Sequence, residues 1–465
     1  DRSRADRHGR PHRLHRCRRD ERGAVIARLR TSRNRELVNL LVVAALTAVG
    51  FAAVFVAREN AVSTASLSYA VFFLALYLVA HVVVRVLLPQ ADPALLPIVA
   101  LLTAIGEIEI YRIDPVLARD QAVWIVVGVA LFTLVAWYAR DVRRLEGLRY
   151  TCGAVAVLLL ALPAVLPRSV APDINGARLW IRLGGYQIQP GEFAKVLLVV
   201  FLAGYLRETR EVLARPVRRV LGIGIPAMRH VGPLMVMTGA AIGILVLLND
   251  LGTSLLLYGT LLALIYVATG RPLYVGLLLA IFAAGAWAAV QVTSQVEVRI
   301  QAWLDPWKEE AGGGYQIVQS LYTIADGGIF GRGFGQGLIL NDHGRTIVPF
   351  AQTDFIFSVI ASEAGLAGAA GVILLYLLVA YRGMKIASVA DDGFTKLLAT
   401  GLTFVFCFQA FVIIGGVTKL IPLTGLTLPF VSYGGSSVTA NFALIGLLLA
   451  VSQRANRLPA ADIAP

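Results

Sequence analysis

The stretch Val348-Pro349-Phe350-Ala351-Gln352-Thr353-Asp354-Phe355-Ile356-Phe357-Ser358 closes a long polar loop and opens an apolar run, with Asp354 at the junction. A carboxylate at the lip of an apolar span is poorly hydrated, which raises its pKa and suits a general base. The same residues also fit a helix cap, because Thr353 or Asp354 would satisfy free N–H groups at the positive end of the helix that follows. Three other clusters carry polar chemistry. In Gln189-Pro190-Gly191-Glu192-Phe193-Ala194-Lys195, Glu192 and Lys195 are three apart and share a helix face. Charges inside a span face the bundle interior and mark a site, or else form an interfacial pair. Asn249-Asp250-Leu251-Gly252-Thr253 separates two apolar runs with turn-forming residues. Pro429 to Ser437 reads as a Pro/Gly re-entrant segment with a serine N-cap. The glycines of Gly312 to Gly314 and Gly327 to Gly335 resemble a phosphate loop only weakly, since no strand precedes them and no Gly-Lys-Ser/Thr follows. A folded loop lining a site fits them better.

The elements that must position these groups are membrane helices. Of 465 residues, 57% are hydrophobic and 15% charged, far from soluble globular usage. The net charge of +13 sits mostly in the N-terminal tail and in loops between apolar runs. It is therefore an orientation signal rather than a nucleic-acid surface. Cys17, Cys152 and Cys407 are too scattered for a disulfide framework or a metal spacing. Residues 1–36 are Arg-rich and expected to form a basic cytoplasmic tail without structure; His8, His12 and His15 belong to that tail rather than to a metal tract. No apolar core of a signal peptide follows.

From Leu37 about twelve apolar runs of membrane length follow, and helices are the only economical reading of them. They are Leu37–Ala57, Leu67–Leu88, Ala94–Ile110, Ala122–Ala139, Thr151–Leu166, a short Phe193–Leu206, Val231–Leu248, Leu251–Thr269, Leu273–Val292, Phe355–Tyr381, Phe394–Val417 and Val438–Val451. Alternate loops hold Arg140, Arg143, Arg144 and Arg149, then Arg207, Arg210, Arg215, Arg218, Arg219 and Arg229, then Arg271, Arg382 and Lys385, and Arg454 and Arg457. This places both termini in the cytoplasm and the long loops 167–192 and 293–353 outside. Asp354 then lies at the outer membrane surface, where chemistry proceeds without ATP. The expected organisation is a tail over 1–36, two N-terminal helices over 37–90, a core over 94–453 and a cytoplasmic tail over 454–465. His81 and Arg85 in the first two spans suit a docking or stabilising element.

Taken together the motifs resemble the SEDS family of glycan polymerases, the RodA/FtsW group. The resemblance runs from about Ala94 to Val451 and rests on Asn175-Gly176-Ala177-Arg178-Leu179-Trp180-Ile181, the Gln-Pro-x-Glu-Phe-x-Lys run, Asp250 to Thr253, and Arg299 to Pro306. It rests also on the Gly-Tyr-Gln loop with Gln316, Thr353 to Phe357, and Pro429 to Ser437 with Ser436. The family implies an all-α polytopic protein of about ten core helices, here preceded by two N-terminal helices as in actinobacterial members. It implies a bacterial cytoplasmic-membrane enzyme that polymerises lipid II, the undecaprenyl-pyrophosphate-linked disaccharide-pentapeptide, into peptidoglycan. A class B penicillin-binding protein that crosslinks the strands is the implied partner, beside other elongation or division proteins. The family's essential acidic residue falls on Asp354, and its cavity Glu and Lys fall on Glu192 and Lys195. Some positions depart from the family pattern. Pro349-Phe350 and Gln352 stand where a Glu and a His are common, Ser362-Glu363-Ala364-Gly365 where Glu-Glu-Leu-Gly is, and Asn249 where a Glu is. Leu340 to Arg345 looks inserted.

The implied reaction needs one base. Asp354 would take the proton from the acceptor sugar's 4-hydroxyl, and that oxygen would displace undecaprenyl pyrophosphate with inversion. Pyrophosphate leaves without the general acid that an alcohol needs. Lys195, Arg178 or a divalent cation (Mg2+ or Mn2+) would meet the departing charge. Lys195 also reads as a structural partner of Glu192. Two other activities compete with this one. A lipid II flippase would place polar groups at mid-membrane in repeated halves, which the sequence does not show. A non-catalytic scaffold would need no ionisable cavity.

Overall fold

The computed structural model describes residues 11–456, apart from 60–63, 175, 215–217, 221–222, 226–227, 293, 311 and 338–345. The inserted-looking Leu340 to Arg345 lies outside the described residues, as does the C-terminal tail beyond 456. The first half of the chain forms α1 (Pro11–Glu59), α2 (Thr64–Leu87), α3 (Leu95–Ile113), α4 (Pro115–Tyr138), a short α5 (Arg143–Gly147) and α6 (Arg149–Val165). A hairpin of β1 (Ile181–Leu183) and β2 (Tyr186–Ile188) leads to α7 (Pro190–Ala214). A second hairpin, β3 (Arg218–Val220) with β4 (Ile223–Ile225), precedes α8 (Met228–Leu247), α9 (Leu251–Thr269) and α10 (Pro272–Val292). The long loop before α13 holds α11 (Ser294–Leu304), a 3-10 turn (Pro306–Glu309) and α12 (Tyr315–Gly327). The bundle ends with α13 (Ile356–Val389), α14 (Gly393–Val417) and α15 (Gly435–Ala455).

Every expected apolar run coincides with a helix, as lipid requires of a backbone that must satisfy its own hydrogen bonds. Among the described residues seven helices are long and apolar enough to cross a membrane, and α6, α8 and α10 contain shorter apolar stretches. The remaining two, α3 and α7, carry Glu107 and Glu109, and Glu192 and Lys195, within their spans. The chain is thus a multi-pass α-helical membrane protein. α15 is the most enclosed of the seven, with 89% of its apolar window buried. It packs on α4, while α14 packs on α7, α9 and α13.

Some boundaries differ from expectation. α1 begins at Pro11, inside the segment expected to lack structure. The short sixth run becomes the 25-residue α7, because Pro190 opens the helix and the polar 207–214 stretch continues it. Helix ends follow local chemistry elsewhere. Asp114 starts α4 by accepting from Val116 N–H, with Pro115 at the first position. Asp392 starts α14 by accepting from Thr395 N–H at 2.9 Å.

The long loop grips α13. That helix breaks at Gly365 (φ 67°, ψ −169°), a conformation only glycine adopts without strain. The freed backbone groups are paired by the glycine-rich stretch. Arg332 and Gly333 N–H donate to Ser362 O (3.0 Å) and Glu363 O (2.9 Å), and Leu366 and Ala367 N–H donate to Gly328 O (2.9 Å) and Ile329 O (3.0 Å). Glu363 also accepts from Gly335 N–H (2.7 Å) and from Arg112 (3.1 Å). Gly314, Gly327 and Gly331 allow this close backbone approach, since a Cβ on any of them would collide with neighbouring backbone atoms.

The two N-terminal helices are fastened by buried charge. Arg33 pairs with Glu36 at 2.5 Å and donates to Ala91 O, and Glu36 meets His81 Nδ1 at 2.7 Å. Arg85 reaches only Asn34, at 3.3 Å.

Candidate active site

Asp354 does not cap a helix. The N-cap of α13 is Phe355, with no side-chain cap bond, so neither Thr353 nor Asp354 serves that purpose. The Asp354 turn is instead held by the irregular segment between α14 and α15. Phe350 takes a positive φ of 58°, and its carbonyl accepts from Thr353 N–H (3.0 Å) and Phe355 N–H (3.3 Å). Tyr433 N–H donates to Gln352 O at 2.8 Å, and Ser432 Oγ donates to Thr353 O at 2.5 Å while accepting from Leu428 N–H at 2.8 Å. Gln121 on α4 closes the arrangement, donating to Ser432 O (3.2 Å) and accepting from Gly434 N–H (3.1 Å). Irregular backbone inside a membrane protein persists only where protein groups satisfy it, as here. Gly106 on α3 admits the segment, since a Cβ there would lie 2.8 Å from Phe430 O.

The carboxylate so held faces a cavity of about 830 Å³. Burial lifts the Asp354 carboxyl to about 6, against the Thr353 hydroxyl and the Arg299 charge, which favour the ionised form. A base poised near neutrality is the useful case for abstracting a hydroxyl proton. Glu192, Asp250, Gln316 and Ser436 line the same cavity. Asp250 is also the N-cap of α9, accepting from Thr253 N–H at 2.9 Å, and burial raises its carboxyl above the usual range. The plain-turn reading of that motif is therefore half right. Ser436 accepts from Gln189 N–H at 2.8 Å and ties the start of α15 to the approach to α7. The serine cap expected for α15 is absent, for its N-cap is Gly434 without a side-chain bond.

Two predicted cations stand elsewhere. Lys195 is 1% exposed and lies beneath the cavity, donating to Glu192 Oε2 (2.6 Å) and to Gln409 Oε1 (2.7 Å), while Gln409 donates to Thr427 O (2.7 Å). It is the structural partner of Glu192. Arg178 is spent on backbone: its guanidinium donates to Ala171 O (2.9 Å), Ala164 O (3.4 Å) and Leu166 O, and it does not line the cavity. Among the described residues the cation that does line it is Arg299 on α11, whose charge reaches both Asp354 and Asp250. The sequence reading placed Arg299 only at the edge of a motif, because a surface Arg on a short amphipathic helix carries no local sign of its target. It also passed over the β1–β2 hairpin, although Gly184-Gly185 between Ile-Arg-Leu and Tyr-Gln-Ile is a hairpin signal.

A helical membrane bundle that turns one poised carboxylate toward a polar cavity has the plan of an integral-membrane enzyme. The comparisons with known proteins agree with that plan. The family model for cell cycle proteins of the FtsW/RodA/SpoVE type matches residues 94–457, and the chain belongs to this family. It is 42% identical over 447 residues to the peptidoglycan glycosyltransferase RodA of Mycobacterium tuberculosis, covering 93% of both chains. It is 31% identical to the probable peptidoglycan glycosyltransferase FtsW of Geobacter metallireducens, covering 79% of this chain and 96% of that one. Among solved structures it resembles a chain of a peptidoglycan synthase complex, described as coordinating polymerization and crosslinking (TM-score 0.63, 31% identity, 78% of this chain and 98% of that one). It also resembles the rod shape determining protein RodA of Thermus thermophilus (TM-score 0.56, 32% identity, 78% of this chain and 96% of that one). Helices α1 and α2 precede the matched family region.

Proposed function

We propose that the chain polymerises lipid II into glycan strands at the outer face of the cytoplasmic membrane, with Asp354 as general base. The protein is a peptidoglycan glycosyltransferase. The observation that carries the mechanism is Asp354 itself: uncapped, braced by Ser432 and Tyr433, and lifted to about 6 at the wall of the cavity. Asp354 takes the proton of the acceptor's 4-hydroxyl. The oxygen attacks the donor's anomeric carbon, the bond to undecaprenyl pyrophosphate breaks, and the configuration inverts. The diphosphate carries the electron pair away, so no acid is required of the protein. Arg299 replaces Lys195 and Arg178 as the residue that meets the departing charge.

A divalent cation enters this proposal as a companion of the substrate. Among the described residues no cluster of three His, Cys, Asp or Glu side chains could hold one alone. Mg2+ is commonly held by one or two carboxylates together with substrate phosphates, and Asp354 and Glu192 are cavity carboxylates of that kind. When bound, the ion would neutralise diphosphate charge.

The proposed partner is a class B penicillin-binding protein, with lipid II as substrate. Support comes from the resemblance to a structure described as a complex of polymerisation and crosslinking. The distribution of Lys and Arg among the loops supports cytoplasmic termini. The test is polymer formation from purified lipid II by solubilised protein with a cognate crosslinking partner, comparing wild type with Asp354→Asn. Polymer from the wild type alone, with both proteins equally folded, supports the proposal. Near-normal polymer from the variant overturns Asp354 as base.

A further inference from the structure

We infer that Trp124, Tyr186 and Tyr433, together with Asp120, form a saccharide subsite that receives the acceptor sugar beside Asp354. This rests on the glycosyltransferase reading above and assigns one wall of the same cavity to the sugar ring. The three aromatic residues come from unconnected parts of the chain: α4, the β1–β2 hairpin and the segment before α15. All three line the cavity. Trp124 and Tyr186 meet edge to face, with ring centroids 5.6 Å apart and planes at 86°. The indole of Trp124 lies directly on Gly435, where a Cβ would collide with it, so backbone sets the ring's position from behind. Tyr433 is placed by its own backbone bond to Gln352 O, two residues before Asp354.

The polar groups complete the match. Asp120 lines the cavity beside the rings. Burial, and then the charges of Asp120 and Asp114, raise the Tyr433 phenol above its ordinary value, so it stays a hydrogen-bond donor. A pyranose presents a face of C–H groups and a rim of hydroxyls. Aromatic faces and edges suit the former, and a carboxylate acceptor with a phenol donor suits the latter. Trp and Tyr at a membrane surface commonly form a lipid-facing belt, but these three turn inward onto the cavity. Tyr186 remains 48% exposed on a three-residue strand, a large ring on the cavity wall rather than in a core. Asp354 is thus bordered by the aromatic wall through Tyr433 and by Arg299's positive field. The cavity divides into a sugar side and a diphosphate side.

The experiment measures lipid II polymerisation by the full chain with its crosslinking partner, comparing wild type, Tyr186→Ala, Tyr186→Phe and Asp120→Asn, with thermal unfolding recorded for each. Tyr186→Ala is expected to raise KM about tenfold, the scale of one lost aromatic contact, with kcat little changed. Tyr186→Phe keeps the ring and is expected to restore KM, while Asp120→Asn raises KM with Tm unchanged. Unaltered KM in both Tyr186→Ala and Asp120→Asn, against an active wild type, overturns the subsite and leaves the glycosyltransferase reading standing. A fall in kcat and Tm without a change in KM also overturns it, since that is the mark of a structural role. A wild type that makes no polymer overturns the reading beneath it, and the subsite falls with that reading.

Discussion

Asp354 is the proposed general base, and three predictions attach to it. Asp354→Asn removes the proton acceptor and is expected to lower kcat by at least about a hundredfold. It also removes a carboxylate that burial holds protonated up to about 6. Between the ordinary Asp range and 6 the folded state binds more protons than the unfolded one, so this group's contribution to stability declines as pH rises through that window. Asp354→Asn is therefore expected to raise Tm at neutral pH, measured by thermal unfolding in detergent. In the wild type the base is silenced by protonation, so kcat/KM should fall about tenfold per pH unit below about 6. A flat profile between pH 5 and 7 contradicts that assignment. The cations separate by the same logic. Arg299→Ala is expected to reduce kcat with little change in Tm. Lys195→Ala strands the Glu192 carboxylate in a buried site, at a cost of about 3–5 kcal/mol, and shows first as lost stability. Equal Tm for Lys195→Ala and wild type would return Lys195 to the list of groups that meet the substrate.

At the scale of elements, the catalytic turn has little regular structure of its own. It is shaped by contact between the start of α13, the segment before α15 and α4. Ser432 is the joint, since one hydroxyl both donates to Thr353 O and accepts from Leu428 N–H. Ser432→Ala leaves these buried backbone groups unpaired, at about 1–3 kcal/mol. It is expected to lower Tm and to reduce kcat through displacement of Asp354, with the polymerised product read by gel. The break at Gly365 works on the far side of the same helix, where the glycine-rich stretch is sewn to its exposed carbonyls and N–H groups. The long loop is therefore mechanically continuous with the helix that begins two residues after Asp354.

At the scale of the molecule, α1 and α2 are an addition to the family region; the Arg33–Glu36–His81 cluster holds them to each other, while Tyr77 donating to Thr103 at 2.7 Å and the Phe55–Tyr111 ring contact hold them to α3. Glu36→Gln removes the charge that compensates Arg33 and is expected to destabilise the protein by about 3–5 kcal/mol, while kcat per folded molecule is unchanged. A change in kcat at constant Tm would instead tie these helices to catalysis. Much of this architecture was legible in the amino-acid order. Every membrane helix was, because lipid leaves an apolar run of sufficient length only one way to satisfy its backbone. Asp354, Glu192 and Asp250 were legible too, because a carboxylate beside an apolar run is conspicuous. The direction in which a polar side chain points was not. Arg178 and Arg299 look alike as residues, yet one is consumed by carbonyls at the end of α6 and in the loop after it, and the other faces the cavity. Thr353 and Asp354 looked like caps, and the helix starts one residue too late for Asp354 and two too late for Thr353. Local sequence sets which groups exist and which segments become helices. Which of those groups are used up by neighbours, and which remain free for a substrate, depends on how the backbone folds around each one, near in sequence for Arg178 and distant for Arg299 and Asp354, and those contacts exist only after the helices have packed.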